Sequence, residues 1–186
     1  MVKASILWRR IDSPGHDACR LSRRSDGWQL DGTAVFREDG APACLTYHVA
    51  CDRSWRATRG EVRGWLGARG VSFSIVRSPA GVWTLNGNTI SDVVGCVDLD
   101  LAVTPATNLS QLRRIALAEG QAADVPVAWL DAPAGTLSVL PQRYERRSPT
   151  TYWYEAPRFD YEALLEVGES GFVERYPGLW EAEPQI

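Results

Sequence analysis

Apolar and polar residues alternate in short runs along most of the chain, and Gly, Pro, Asp and Asn separate one run from the next. A period of two is what a half-buried strand requires, because successive side chains leave a strand on opposite faces. Val71, Phe73 and Ile75 against Ser72 and Ser74 are the clearest case. The pattern predicts strands at Ser5–Arg10, Ala18–Ser22, Trp28–Phe36, Cys44–Cys51, Glu61–Leu66, Val71–Val76 and Gly81–Leu85, and it continues through Ser91–Val103. Strands resume at Val125–Leu130, Thr136–Glu145, Thr151–Glu155, Tyr161–Val167 and Gly171–Arg175, before a turn and an aromatic anchor at Trp180. Asp26-Gly27, Asp31-Gly32, Asp39-Gly40 and Asn86-Gly87 are predicted turns.

One segment has a different period. In Asn108–Glu119, Leu109, Leu112, Ile115 and Ala116 recur at helical spacing and share a face. Asn108 suits the N-cap, Gln111 completes a capping-box pattern, Pro105 lies upstream and Gly120 follows as a stop. The prediction is one mostly β (α+β) domain over residues 1–186, with about a dozen or more strands and a single helix near 108–119. A sheet that long must curl, split or close, and wrapping round the helix would give both a shared core.

Composition narrows the function classes. Apolar residues make up 45% and charged residues 23%, ordinary globular values that set disorder aside. The net charge of -3 and the lack of a basic stripe argue against nucleic acid. Two Arg clusters, Arg20/Arg23/Arg24 and Arg143/Arg146/Arg147, read as solvated surface or as a seat for an anionic head group. Cys19, Cys44, Cys51 and Cys96 form no C-x-x-C pair, and His16 and His48 lack metal-ligand spacing. Free thiols, no metal and no cofactor are therefore expected. No run approaches the roughly 20 apolar residues of a spanning helix, and Met1–Arg10 does not read as a leader. The expected location is cytoplasmic. Eight Trp and six Tyr favour strands and amphipathic pockets, where a ring is buried and its N–H or O–H needs a partner.

The sharpest candidate chemistry is Cys96-Val97-Asp98-Leu99-Asp100-Leu101-Ala102-Val103. Strand periodicity puts Asp98 and Asp100 on one face and the apolar residues on the other. If the apolar face packs on the helix, the acidic face points away from it, toward solvent or a polar pocket. Ionised carboxylates accept strong hydrogen bonds and suit ligand hydroxyls. A glycosidase reading needs a second carboxylate across the bond to be cleaved, which Glu145 or Glu155 could supply. Thr104 and Thr107 read as turn and cap residues, and the helix N-terminus beyond them could bind an anionic or polar group. Gln142, Tyr144, Tyr152, Trp153 and Tyr154 form a second polar-aromatic region, read as cross-strand packing or as a pocket wall. The sequence holds no G-x-S-x-G, Walker loop, G-x-G-x-x-G or H-E-x-x-H.

The blocks GCVDLDLAVTPATNLSQLRRIAL (95–117), VPVAWLDAP (125–133), PQRYERR (141–147) and GFVERYPGLWE (171–181) resemble the putative glycolipid-binding family. Trp8, Pro14-Gly15, Leu30-Asp31-Gly32 and LTYHVACDRSWRATRGEVRG (45–64) are similar to its opening strands. The resemblance implies a large antiparallel sheet wrapped around one helix, often as a tight dimer. It also implies an acidic pocket, a remote likeness to lipoprotein localisation factors and a role in bacterial glycolipid or cell-envelope metabolism. It carries over Asp98 and Asp100 from an acidic block, Thr107, Asn108 and Arg114 from a T-N…R-R block, and Gln142 and Tyr144 from a Q-x-Y block. With Tyr154 these are the predicted ligand-binding residues, and no catalytic residue is assigned. The expected ligand is a glycolipid, phospholipid or sugar, and the alternative is a hydrolase acting on a glycosyl or acyl-lipid substrate. Two departures stand out: Ser110 where the family usually has proline, and the polar stretch Glu119–Asp124 after the helix.

Overall fold

The computed structural model describes residues 1–184, so the end of the expected 1–186 domain lies outside the described residues. Six long strands open the chain as a meander: β1 (Val2–Arg10), β2 (Gly15–Arg23), β3 (Gly27–Glu38), β4 (Ala41–Asp52), β5 (Ala57–Leu66) and β6 (Arg69–Arg77). β7 (Trp83–Leu85) and β8 (Asn88–Ile90) finish that side. The chain then leaves the sheet for β9 (Asp98–Leu101), α1 (Asn108–Ile115), β10 (Ala122–Asp124), β11 (Val127–Asp131) and β12 (Thr136–Leu140). It returns as a second meander: β13 (Arg143–Arg146), β14 (Thr151–Ala156), a 3₁₀ turn at Pro157–Phe159, β15 (Tyr161–Val167), β16 (Val173–Tyr176) and β17 (Trp180–Ala182).

β17 pairs with β1, which joins the two meanders into one open antiparallel sheet of 14 strands, β10-β13-β14-β15-β16-β17-β1-β2-β3-β4-β5-β6-β7-β8. Its two edges are three-residue strands, short enough to offer little template for pairing with another chain. Alternation drives this architecture. In β4, Ala43, Leu45, Tyr47, Val49 and Cys51 are all buried while their neighbours are not. A twisted sheet this wide curls, and its apolar face needs a filling.

The segment between β8 and β13 supplies that filling. β9, β11 and β12 form a small sheet, with β9 parallel to β11. All four residues of β9 are buried, as expected of a strand covered on both faces. Leu99 fits against β5 where Gly60 has no side chain to meet it. Asp98 and Asp100, on the opposite face, bond to Arg114, Gln111 and Thr107 of the helix region. The acidic face therefore meets the helix, the reverse of the expectation that the apolar face would.

Other predicted features shift for identifiable reasons. Asp31-Gly32 is no turn but the middle of the 12-residue β3. Gly32 lies opposite Tyr47, and a side chain there would overlap the Tyr47 ring. Asp39-Gly40 and Asn86-Gly87 are turns, with positive φ at both residues of each pair. Thr136–Glu145 divides at Pro141-Gln142 into β12 and β13, which belong to different sheets. Of Ser91–Val103 only Asp98–Leu101 is strand, and the polar stretch after the helix holds the edge strand β10.

The helix ends at Ile115, short of Gly120. Ala116 adopts a left-handed conformation (φ 43°) and turns Leu117 back into the core, where Arg146 donates to its carbonyl at 2.8 Å. The N-terminal capping box does not form. Asn108, Leu109 and Ser110 donate their backbone N–H groups to the carbonyls of Pro105, Ala106 and Thr107, a 3₁₀-type start. The Asn108 and Gln111 side chains are thereby free for other bonds. Among the described residues no helix is long and apolar enough to cross a membrane.

The contact between Gly32 and Tyr47 gives a test of this packing. Gly32→Ala is expected to lower unfolding free energy by about 1–3 kcal/mol in urea titrations, as an overpacked core does. An unchanged midpoint would contradict the close approach.

Candidate functional site

The structure gathers the predicted polar residues around one carboxylate. Asp100 accepts from Gln142 Nε2 at 2.7 Å and Gln111 Nε2 at 3.4 Å, both on Oδ2. Thr107 Oγ1 lies 3.5 Å from Oδ1, at the limit of a hydrogen bond. Behind it runs a directed chain: Asn108 Nδ2 donates to Tyr144 Oη at 2.7 Å, and Tyr144 Oη donates to Gln111 Oε1 at 2.6 Å. Burial pushes the Asp100 carboxyl above its ordinary range, and the donors from Gln142, Gln111 and Thr107 pull the other way. A carboxylate out of water needs such donors, and here they come from uncharged amides and a hydroxyl.

Asp100 is 8% exposed, and it lines a cavity of about 440 Å³. That volume suits a small-molecule ligand. Asn108, Gln142, Thr104 and Tyr154 share the polar side of this cavity. Trp129, Leu140, Phe159 and Trp180 make its apolar walls. Tyr154, Tyr161 and Tyr176 form a ring cluster with centroids 5.5–6.1 Å apart, all three lining the cavity. A larger groove of about 1190 Å³ lies along β1 and β15–β17, but it is an open trough whose Glu166 and Glu181 pair with Arg175 and Arg9 at the surface. It contains none of the predicted residues.

Of the eight predicted site residues, Asp100, Asn108, Gln142 and Tyr154 line the cavity and four do not. Asp98 is fully buried and held by Arg114 in a forked pair, with bonds of 2.6–3.0 Å. Burial raises the Asp98 carboxyl, against the opposing pull of Arg114. This pair ties strand to helix, and neither Asp98 nor Arg114 is among the residues that line the cavity. Thr107 and Tyr144 stand one layer behind Asp100. Spacing could not separate Asp98 from Asp100, because both lie on the same strand face.

Glu145 and Glu155, the offered second carboxylates, lie elsewhere. Glu145 pairs with Arg147 and Glu155 accepts from Trp153 Nε1, and neither lines the cavity. Nor is the helix N-terminus open to an anion, since its first N–H groups are bonded to the preceding turn. Among the described residues no three His, Cys, Asp or Glu side chains converge as a metal site.

The sequence reading missed Trp129, Phe159, Tyr161 and Tyr176 as cavity walls. It also missed Asp17, which falls in phase with the inward Cys19 and Leu21 and so was legible as a buried acid. Asp17 is fully buried. Its Oδ2 accepts from Thr104 Oγ1 and from Tyr47 Oη at 2.9 Å, while Oδ1 has no partner among the described residues. Thr104 Oγ1 also accepts from the Ala106 N–H, so Asp17 fixes the loop that carries Thr104 into the cavity wall. Burial pushes Asp17 up to about 6 against those two hydrogen bonds.

An open curled sheet, filled by a small sheet and one helix around an amphipathic cavity, is thus the class of protein in hand. The chain belongs to the family described as putative glycolipid-binding, which matches residues 5–182. A crystal structure of a DUF1089-family protein from Pseudomonas aeruginosa is similar, with 27% identity and a TM-score of 0.79 over 90% of this chain and 91% of that one. No curated protein matches.

Asp17 yields a pH test. Its carboxyl is raised from 3.8 to about 6 in the folded state, so between those values the folded protein holds the proton and the unfolded chain does not. Stability from this group is greatest at low pH and falls as pH rises through that window, by roughly 3 kcal/mol for about two pH units. Asp17→Asn is expected to gain stability relative to wild type between pH 4 and pH 7.5 in urea unfolding. A difference that does not change with pH would contradict the assignment.

Proposed function

We propose that the cavity beside Asp100 binds a small amphiphilic molecule bearing a glycosyl or other hydroxyl-rich group, and that the protein holds this ligand without transforming it. The observation that carries this reading is a buried carboxylate, supplied with amide donors, set in the wall of an aromatic cavity of about 440 Å³. Aromatic faces take an apolar chain or the apolar face of a sugar ring, and an ionised carboxylate with acceptor capacity takes hydroxyls. The family description points the same way. Hydrolysis of a glycosidic bond by the usual route needs two carboxylates flanking the bond. Among the described residues Asp100 is the single carboxylate that lines the cavity, which favours binding over that chemistry. We include in the proposal that two copies associate as a homodimer, as the sequence resemblance implies.

Ala102 is exposed at the cavity and offers a way to block it without disturbing the core. Native mass spectrometry of the protein, purified without detergent and incubated with a bacterial glycolipid extract, is expected to show a bound adduct. Ala102→Trp is expected to remove most of it while the unfolding midpoint stays put. No adduct on the wild type, or an equal adduct on the variant, would overturn the proposal.

A further inference from the structure

We propose that this cavity accepts only ligands whose polar group is uncharged and carries hydrogen-bond donors, taken in polar end first, and that it rejects phosphate, sulfate and carboxylate head groups. The inference rests on the reading of the cavity as a ligand site and narrows what that site can hold.

The charge inventory is one-sided. Sixteen of the described residues line the cavity, and the one charged residue among these is Asp100. None is Arg, Lys or His. The guanidiniums nearby are not among the lining residues, although two of them rest on rings that are. Arg114 is forked onto Asp98, in the layer away from the cavity. Arg158 lies over the Trp129 ring at 4.8 Å and donates to Ser138 Oγ. Arg10 lies over Trp180 at 5.4 Å and makes two bonds to Asp12. The helix N-terminus, the remaining source of positive potential, has its first N–H groups bonded to Pro105, Ala106 and Thr107. An anionic head group would shed its water beside a buried carboxylate and find no cation among the lining residues. Both effects oppose binding, and a low-dielectric setting strengthens the repulsion.

A hydroxyl meets the opposite situation. Oδ2 of Asp100 is occupied by Gln142 and Gln111, but among the described residues Oδ1 has only the long approach of Thr107 at 3.5 Å. An ionised carboxylate oxygen supports about two acceptor directions, so Oδ1 retains capacity for a ligand donor. Among the described residues, the Asn108 side chain bonds only Tyr144 and leaves its amide oxygen available.

Orientation follows from burial. Asp100, Asn108 and Gln142 are 8%, 3% and 3% exposed, whereas Phe159 is 51% exposed and Ala102 is also open to solvent. The polar partners are all buried, Trp129, Leu140 and Trp180 are buried beside them, and the lining residues open to solvent at the mouth, Phe159 and Ala102, are apolar. A ligand that satisfies both places its hydroxyl-bearing end inside and runs its apolar part out past Trp129 and Phe159. This removes phospholipid, one of the partners expected from sequence, from the ligands of this cavity, because its phosphate would have to enter first.

The test compares two probes with the same tail, n-octyl β-D-glucopyranoside and n-octyl sulfate, each below its micelle concentration. Binding is read from the intrinsic fluorescence of the tryptophans and checked by calorimetry on wild type, Ala102→Trp and Asp100→Asn. The glucoside is expected to bind saturably to wild type at least tenfold tighter than the sulfate, and Ala102→Trp is expected to abolish that binding. Asp100→Asn removes the repelling charge and is expected to shrink the preference severalfold, by weakening the glucoside, strengthening the sulfate or both. Equal affinity of the two probes for wild type, with loss of both in Ala102→Trp, overturns the selectivity while leaving the cavity a binding site. Failure of both probes to bind wild type, or binding untouched by Ala102→Trp, overturns the cavity reading itself. The wild-type comparison decides the matter even if Asp100→Asn does not fold.

Discussion

A carboxylate taken out of water has to be given hydrogen-bond donors, and the arrangement of this protein's interior follows from how Asp100 is given them. Gln142 reaches it from the point where the chain passes from the small sheet to the large one, and Gln111 and Thr107 reach it from the helix region. Those contacts dictate that the helix turn its polar side to β9. They also explain the 3₁₀-type start, which frees Asn108 and Gln111 from capping. The cavity floor is polar because the group that organises the helix lies at its surface.

Two further buried carboxylates do related work at other walls. Asp98 clamps β9 to the helix through Arg114, and Asp17 of β2 holds the loop at Thr104, with Tyr47 of β4 completing the set. A buried ion pair adds little net stability compared with good apolar packing, but losing one partner leaves an uncompensated charge and costs about 3–5 kcal/mol. Alternative placements of the inserted segment would strand at least one of these three acids. They therefore restrict how the segment can sit inside the curled sheet. Apolar contacts such as Leu99 against Gly60 add shape to that restriction.

The large-scale fold was legible because it depends on periodicity. Alternation in β4 or β6 shows a half-buried strand without knowledge of its neighbours, and the 108–115 segment stands out by its different period. What covers each face was not legible. Asp98 and Asp100 share a face by spacing, yet one is neutralised by Arg114 and the other opens on a cavity, and only the helix's position separates them. Asp31-Gly32 has the composition of a turn, but its glycine answers a tyrosine ring from the next strand. The aromatic cavity walls come from segments as distant as Trp129 and Tyr176, a convergence that local pattern does not encode.

Function rests on the combination of a deep acceptor and an apolar mouth, a polarity that orients whatever enters. The most direct measurement is a crystal structure of the protein grown with n-octyl β-D-glucopyranoside. The account requires a glucosyl hydroxyl within hydrogen-bond distance of Asp100 and an octyl chain running past Trp129 and Phe159 toward solvent. A sugar left at the mouth with the chain buried against Asp100, or a cavity that stays free of the glycoside while it binds elsewhere, would contradict it.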